Sequence, residues 1–353
     1  MALVGTRHQW KGAPMTEERR TATRALVLGE SLIDIILDGE TRTEVPGGSP
    51  MNLSIGLARQ GIDVAFITSL GADRHADTIE RRLVHEGVDV YTPRRAGRTC
   101  TATAMLDDRG TPSYDFDLTW MLDNTDTPAG VPDVVHFGSL GSALQPGADQ
   151  VDELVAQYRG DALVTYDPNI RPRIDPDRDA ARTRVDRHAA LSDIVKASDE
   201  DLAYLHPELV ADPADIADDV REAMIESTIA RWLAAGTSLV VITRAEHGID
   251  MATAQCKLHI PGHHPRVVDR IGGGDAFMAG LIAGLDVVGL FGATGRATLS
   301  TLAPHTLRRA GSWAQRTAEI TVGRVGADPP TSVELLPRSE AQSYGDRAPA
   351  ADH

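Results

Sequence analysis

Short apolar runs that read as strands alternate with segments of helical spacing along most of this chain, and that rhythm leaves few folds open. Strand-like runs fall at 25–37, 63–68, 133–137, 162–166, 193–196 and 238–242. Between and after them, apolar residues recur three and four apart over 52–60, 76–86, 148–158, 178–191, a long stretch within 213–235, 275–288 and 305–321. Strand-helix alternation predicts an α/β fold, because parallel neighbours need a crossover helix that then covers a face of the sheet. In such sheets ligands gather beyond the carboxyl ends of the strands. The first run, 25–37, reads as one buried strand with a polar interruption at Glu30 and Ser31.

Two stretches break the rhythm. Residues 41–45 and 99–118 carry β-like patterns with no helix inside the second. Thr101 to Leu106, a turn over 107–110, and Pro112 to Leu118 predict a hairpin. Strands without helices fit a small β appendage over the site, with lid strands at roughly 38–46 and 98–118; the other reading is an edge extension of the main sheet.

Composition narrows the class. The 353 residues, 42% of them hydrophobic, can bury a large core. With 35 basic and 51 acidic side chains the formal charge is −16, which argues against nucleic acid or an anionic membrane as the main partner. Two distant cysteines, Cys100 and Cys256, fit a reducing cytoplasm and offer no metal cluster. No run reaches the length of a membrane span. Residues 1–24 are expected to form a disordered leader, with Met15 an alternative start, and 338–353 a disordered tail. The domain is expected over 25–337.

The segment D-R-I-G-G-G-D over 269–275 carries the chemistry. Gly272, Gly273 and Gly274 stand before an apolar helix and Asp275 in its first turn. Glycines leave backbone N–H groups open, and a helix start attracts anions. A carboxylate there is either a cap or the base for a hydroxyl attacking a phosphoryl group in transit. A second site lies at 47–52, where Gly47 and Gly48 allow close backbone approach. Asn52 there is either an N-cap or a partner for hydroxyls. No G-x-G-x-x-G follows the first strand, which disfavours a dinucleotide-binding dehydrogenase.

Together, G-G-x-x-x-N near the start and D-x-x-G-x-G-D near the end resemble the two signatures of the PfkB (ribokinase-like) sugar kinases, over roughly residues 25–336. The resemblance implies a ribokinase-like three-layer α/β/α core with a mostly parallel sheet and a small β lid. It makes Asp275 the catalytic base and the N–H groups of Gly272, Gly273 and Gly274 the anion hole. Asp34, Gly47, Gly48 and Asn52 become the sugar cradle, and Thr243 and Gly248 become ATP neighbours with Gly272 and Gly274. ATP and Mg²⁺ are implied, with a monovalent cation in parts of the family, and a homodimer paired through the lid. Segments 29–34, 47–52, 166–172, 197–202 and 326–330 look more like the fructokinase branch.

Departures from the family pattern set the open questions. Arg270 stands where Thr is usual, and Gly273 where Ala is usual. This form also looks like that of 2-keto-3-deoxygluconate kinases, which share the D-x-N-x-R element of Asp167, Asn169 and Arg171. Arg171 either contacts phosphate or a substrate oxygen, or bridges to Asp167 or Asp175. Tyr114 and Phe116 in the lid suit stacking on a neutral sugar, and Asp115 and Asp117 discourage an anionic one, so a ketohexose is expected. A nucleoside kinase is a weaker expectation, and a non-catalytic sugar- or nucleotide-binding regulator is the reading from another class. The family's N-x-x-E element appears as Ser198 to Asp201, leaving Asp201 to help organise Mg²⁺ through water. Ala245 takes the first glycine position of the family's T-x-G-x-x-G nucleotide loop.

Overall fold

The computed structural model describes residues 23–336, apart from residues 40 and 124 and the segments 94–96, 107–111, 207–215 and 292–294. The expected leader up to residue 22, the tail over 338–353 and the 107–110 turn lie outside the described residues. Thirteen strands run in chain order: β1 Arg24–Leu28, β2 Leu32–Asp38, β3 Thr41–Gly47, β4 Asp63–Ile67, β5 Asp89–Tyr91, β6 Thr101–Leu106, β7 Pro112–Asp117, β8 Val134–Gly138, β9 Leu163–Asp167, β10 Ile194–Ser198, β11 Leu239–Thr243, β12 Ile249–Ala252 and β13 Lys257–Ile260. The helices are α1 Ser49–Arg59, α2 Arg74–His85, α3 Gly147–Tyr158, α4 Arg178–Leu191, α5 Asp199–Leu205, α6 Asp218–Ala234, α7 Gly273–Val287, α8 Gly295–Leu299, α9 Pro304–Val322 and α10 Ser332–Leu335.

Nine strands form one sheet in the order β13-β12-β11-β10-β9-β8-β1-β4-β5. It is parallel from β11 to β5, and β12 and β13 extend it antiparallel. Alternate side chains feed two separate cores, as the two-residue period of a strand requires. Val27, Val64, Phe66 and Val241 pack with α1, α2, α7 and α9 on one face. Leu26, Leu28, Ala65 and Val240 pack with α3, α4, α5 and α6 on the other. Because both faces are covered, the strands read as continuous apolar runs rather than alternating ones. The strand order reverses at β1, between β8 and β4, which opens a crevice at the carboxyl ends.

The single strand expected over 25–37 is two strands in two sheets. β1 belongs to the core sheet, and β2 joins a four-stranded sheet ordered β3-β2-β6-β7. The interruption at Glu30 and Ser31 is therefore the joint between core and lid. Its polar side chains are answered locally, with Ser31 Oγ 2.9 Å from Thr68 Oγ1. The lid thus starts earlier than the expected 38–46, while β6 and β7 do form the expected antiparallel hairpin. Sequence periodicity passed over β5, β12, β13 and the shortest helices, whose runs are too brief to show a period.

Small residues bring the site-bearing helices together. A Cβ on Gly56 of α1 would lie 2.8 Å from Ala279 of α7, and one on Gly280 of α7 would lie 2.5 Å from the Thr317 hydroxyl of α9. These positions admit only glycine at such spacing, so the starts of α1 and α7 face each other across the crevice.

Candidate active site

The crevice holds a cleft of about 1480 Å³, walled by the carboxyl ends of β1, β8, β9, β10 and β11, the lid, and the starts of α1 and α7. At its centre Asp275, 8% exposed, sits in the first turn of α7. Ser49 Oγ donates to its Oδ1 at 2.7 Å, and Asn52 Nδ2 donates to its Oδ2 at 2.8 Å. Asn52 is not an N-cap: Gly48 holds that place, with φ 110, and Asn52 lies one turn inside α1. One of its amide hydrogens is committed to the acid, which leaves the second and Oδ1 for a hydroxyl. Ser49 had no role in the sequence reading; the hydroxyl three residues before Asn52 was its only signal.

The glycine run forms the helix start as expected, with one correction. Gly272 is left-handed at φ 76, and an added Cβ would stand 2.5 Å from that of Ala327. The first intrahelical bond is Ala276 N–H to Gly272 O, so the Gly274 and Asp275 N–H groups have no intrahelical acceptor. Gly273 N–H, however, donates to Arg270 O at 3.3 Å and is not open to an anion. The family's alanine at this place would bring its Cβ to 2.9 Å from Val322 Cγ1, so the valine of α9 accounts for the glycine here.

Beneath the glycine helix start lies a residue that the sequence reading missed. Lys196, on β10, is buried, and its Nζ would be 3.2 Å from a Cβ on Gly274. It pairs with Asp167 Oδ2 at 3.0 Å. Burial pulls the ammonium down, but Asp167, Asp201 and Asp275 outweigh it and raise its pKa, so it stays charged. Burial pushes the Asp167 carboxyl up to about 6 against the pull of Lys196. Asp167 Oδ1 is buried without a hydrogen-bond partner among the described residues.

Asp34, on β2, faces the cleft with its carboxyl pushed up to about 6 by burial, partly opposed by Arg171. A Cβ on Gly47 would stand 2.3 Å from Asp34 Oδ2, and one on Gly48 would stand 2.7 Å from Glu30 O, so both glycines make room for this wall. Phe116 lies opposite Ala102 on the cleft side of the lid. The Tyr114 backbone is in β7, but its side chain is outside the described residues. Arg171 forms neither of the salt bridges considered for it, since Asp167 pairs with Lys196 and Asp175 with Arg184. It is exposed at the cleft wall and donates to Asn169 Oδ1 at 2.6 Å.

Asp201 lines the cleft with both oxygens engaged. Oδ1 accepts from Ile170 N–H at 2.7 Å, and Oδ2 closes a capping box with Ser198 at 2.9 Å. It ties β9 and β10 loops together at the start of α5. Thr243 ends β11, and Gly248, at φ 93, lies where a Cβ would be 2.1 Å from Ile260 O. Both line the cleft.

Ala245 keeps the backbone that a glycine would take, at φ 45. The left-handed region costs an alanine about 1–2 kcal/mol, while glycine loses about 0.5–1 kcal/mol in chain entropy. Ala245→Gly is therefore expected to stabilise the fold by about 0.5–1 kcal/mol. Urea unfolding measures this, and a lower midpoint for the variant would refute the strain.

The pattern of the pfkB family carbohydrate kinases matches residues 22–333. A fructokinase of Klebsiella pneumoniae is 33% identical over 274 residues, covering 75% of this chain and 85% of that protein. Among solved structures, a fructokinase with bound ATP from Xylella fastidiosa superposes with a TM-score of 0.73 at 23% identity, over 91% of this chain and 99% of that one. A double-mutant fructokinase from Vibrio cholerae O395, in fructose-, ADP- and potassium-bound form, gives 0.69 at 23% identity over 92% and 99%. The fold is ribokinase-like, and the chain belongs to the pfkB family of carbohydrate kinases.

Proposed function

We propose that this enzyme transfers the γ-phosphoryl group of ATP to a primary hydroxyl of a neutral sugar, fructose first among them. The observation that carries this reading is Asp275, held by Ser49 and Asn52 where the glycine helix start meets the sugar-side wall of Asp34. A sugar hydroxyl beside Asp275 gives up its proton as its oxygen attacks phosphorus. Phosphoryl transfer needs in-line positioning and neutralisation of spread charge. The Gly274 and Asp275 N–H groups and the Lys196 ammonium supply that charge from below. Arg270, Thr243 and Gly248 line the nucleotide end.

Mg²⁺ belongs to the reading, where it would neutralise charge between phosphate oxygens. Among the described residues no three His, Cys, Asp or Glu side chains form a metal cage, as suits an ion shared with the nucleotide's phosphates. The free Oδ1 of buried Asp167 fits such an ion, and Asp201 would act only through water. A monovalent cation near loop 269–275 remains part of the proposal.

The sugar-acid alternative draws on Arg171. Its charge, however, faces Glu30 and Asp34 together, two acids that compete with a substrate carboxylate for it. A regulator without catalysis would have no need of the Asp275 clamp. We place the enzyme in the cytoplasm as a homodimer paired through the lid; Ile36 and Val45, on the lid face shared with Asp34, are 39% and 44% exposed. A coupled assay with fructose, other neutral sugars, nucleosides and 2-keto-3-deoxygluconate, in potassium and sodium buffers, tests the substrate. Turnover of the sugar acid without turnover of fructose would overturn it, and sedimentation of the same preparation as a monomer would remove the dimer.

A further inference from the structure

The lid meets the core at one buried carboxyl group. Gly29, Glu30 and Ser31 are the residues between β1, in the core sheet, and β2, in the lid. The Glu30 side chain turns inward, 3% exposed, and its Oε2 accepts the Gly141 N–H at 2.8 Å. The Ser139 hydroxyl is a second partner. The Gly141 carbonyl accepts Trp120 Nε1–H at 2.9 Å, and Trp120 follows closely on β7, the last lid strand. A Cβ on Gly141 would lie 2.6 Å from Gly29 Cα, so turn and joint are in direct contact. Leu32, Cys100 and Leu140 pack together around the same point. Turn 139–142 of the core therefore holds the lid at both its entry and its exit.

We propose that Glu30 is a positioning residue of the sugar site, fastening the lid joint to turn 139–142 and so placing Asp34 of β2 against Arg171. The proposal rests on the sugar-kinase reading above. The groups facing Glu30 are the Ser139 hydroxyl and Gly141 N–H from the turn, Arg171 after β9, and the Cys100 thiol before β6, with Asp34 beyond them along β2. Burial pushes the Glu30 carboxyl up to about 7, opposed by its hydrogen bonds and by Arg171. The sign follows. A folded pKa raised above the ordinary 4.5 means that the fastened state prefers the proton, so ionisation costs stability progressively from pH 4.5 through 7.

Glu30→Ala removes the fastening and leaves a buried N–H unpaired; Glu30→Gln keeps an acceptor for Gly141 and removes the titration. For Glu30→Ala, the sugar KM is expected to rise about tenfold with the ATP KM within about twofold, and lid amides should exchange faster. For Glu30→Gln, the sugar KM should stay near the parent value at pH 6. The parent's sugar KM is expected to rise above pH 7; in Glu30→Gln that rise should be absent, and the melting temperature at pH 8 should exceed the parent's. Equal shifts in both KM values for Glu30→Ala, or a parent-like pH step in Glu30→Gln, would overturn the proposal, and the second holds even if the alanine variant fails to fold. If the parent phosphorylates no sugar at all, the kinase reading fails. Amide exchange then still decides the fastening, and parent-like lid exchange in Glu30→Ala overturns it.

Discussion

Asp275→Asn is expected to lower turnover by about 10³-fold while leaving the affinities for sugar and nucleotide within about threefold of the parent. On the proposed reading the substitution removes the proton acceptor and little else. Asp275 accepts from Ser49 Oγ at 2.7 Å and from Asn52 Nδ2 at 2.8 Å. An asparagine can present its oxygen to Asn52 and its amide to Ser49, because the serine hydroxyl rotates to accept. The start of α7 thus survives, and with it the open N–H groups of Gly274 and Asp275. What is lost is lost in the transition state alone, so kcat and kcat/KM should fall together. Calorimetric titration of sugar and nucleotide separates this from a folding defect. Near-parental turnover by the variant would mean that another group takes the proton.

How far this site was legible depends on whether a residue's role is local. The left-handed Gly272, the helix start behind it and the acid in the first turn are short-range features, and a glycine run before an apolar helix announces them. The core sheet was legible because buried parallel strands must be continuous apolar runs. The break at Gly29–Ser31 was not. Both halves are apolar, and only tertiary pairing sends β1 to one sheet and β2 to another. Ser49 looked like an ordinary first-turn residue, since its partner is 226 residues away. Asp201 was expected to organise Mg²⁺ through water from its place in the family's N-x-x-E element; its bond to the Ile170 N–H, 31 residues away, is visible only in three dimensions. Lys196 was hidden by its surroundings. A lysine inside an apolar strand has no periodic signature, and its carboxylate partner comes from the neighbouring strand.

Lys196→Met is the second large effect. It is expected to reduce turnover by at least about 10²-fold, the scale of losing one charged group aimed at a developing anion. It should also destabilise the fold by about 3 kcal/mol, because breaking a buried pair leaves a carboxylate without its counter-ion. The two losses have different pH dependences. The ordinary Asp value is 3.8, and burial already pushes Asp167 to about 6 with the lysine present. Without Lys196 the folded-state value rises further. The added cost of ionising Asp167 is therefore absent well below pH 6, where the parent's own Asp167 is already protonated, and grows as pH climbs through 6 and beyond. Denaturant unfolding of the variant at pH 5 and pH 8 should show the smaller loss at pH 5. Turnover should stay low at both, since acid can relieve Asp167 but cannot restore a cation under Gly274. A variant that recovers activity on acidification would assign Lys196 only to keeping Asp167 ionised. One that loses stability equally at both pH values would remove Asp167 as its working partner.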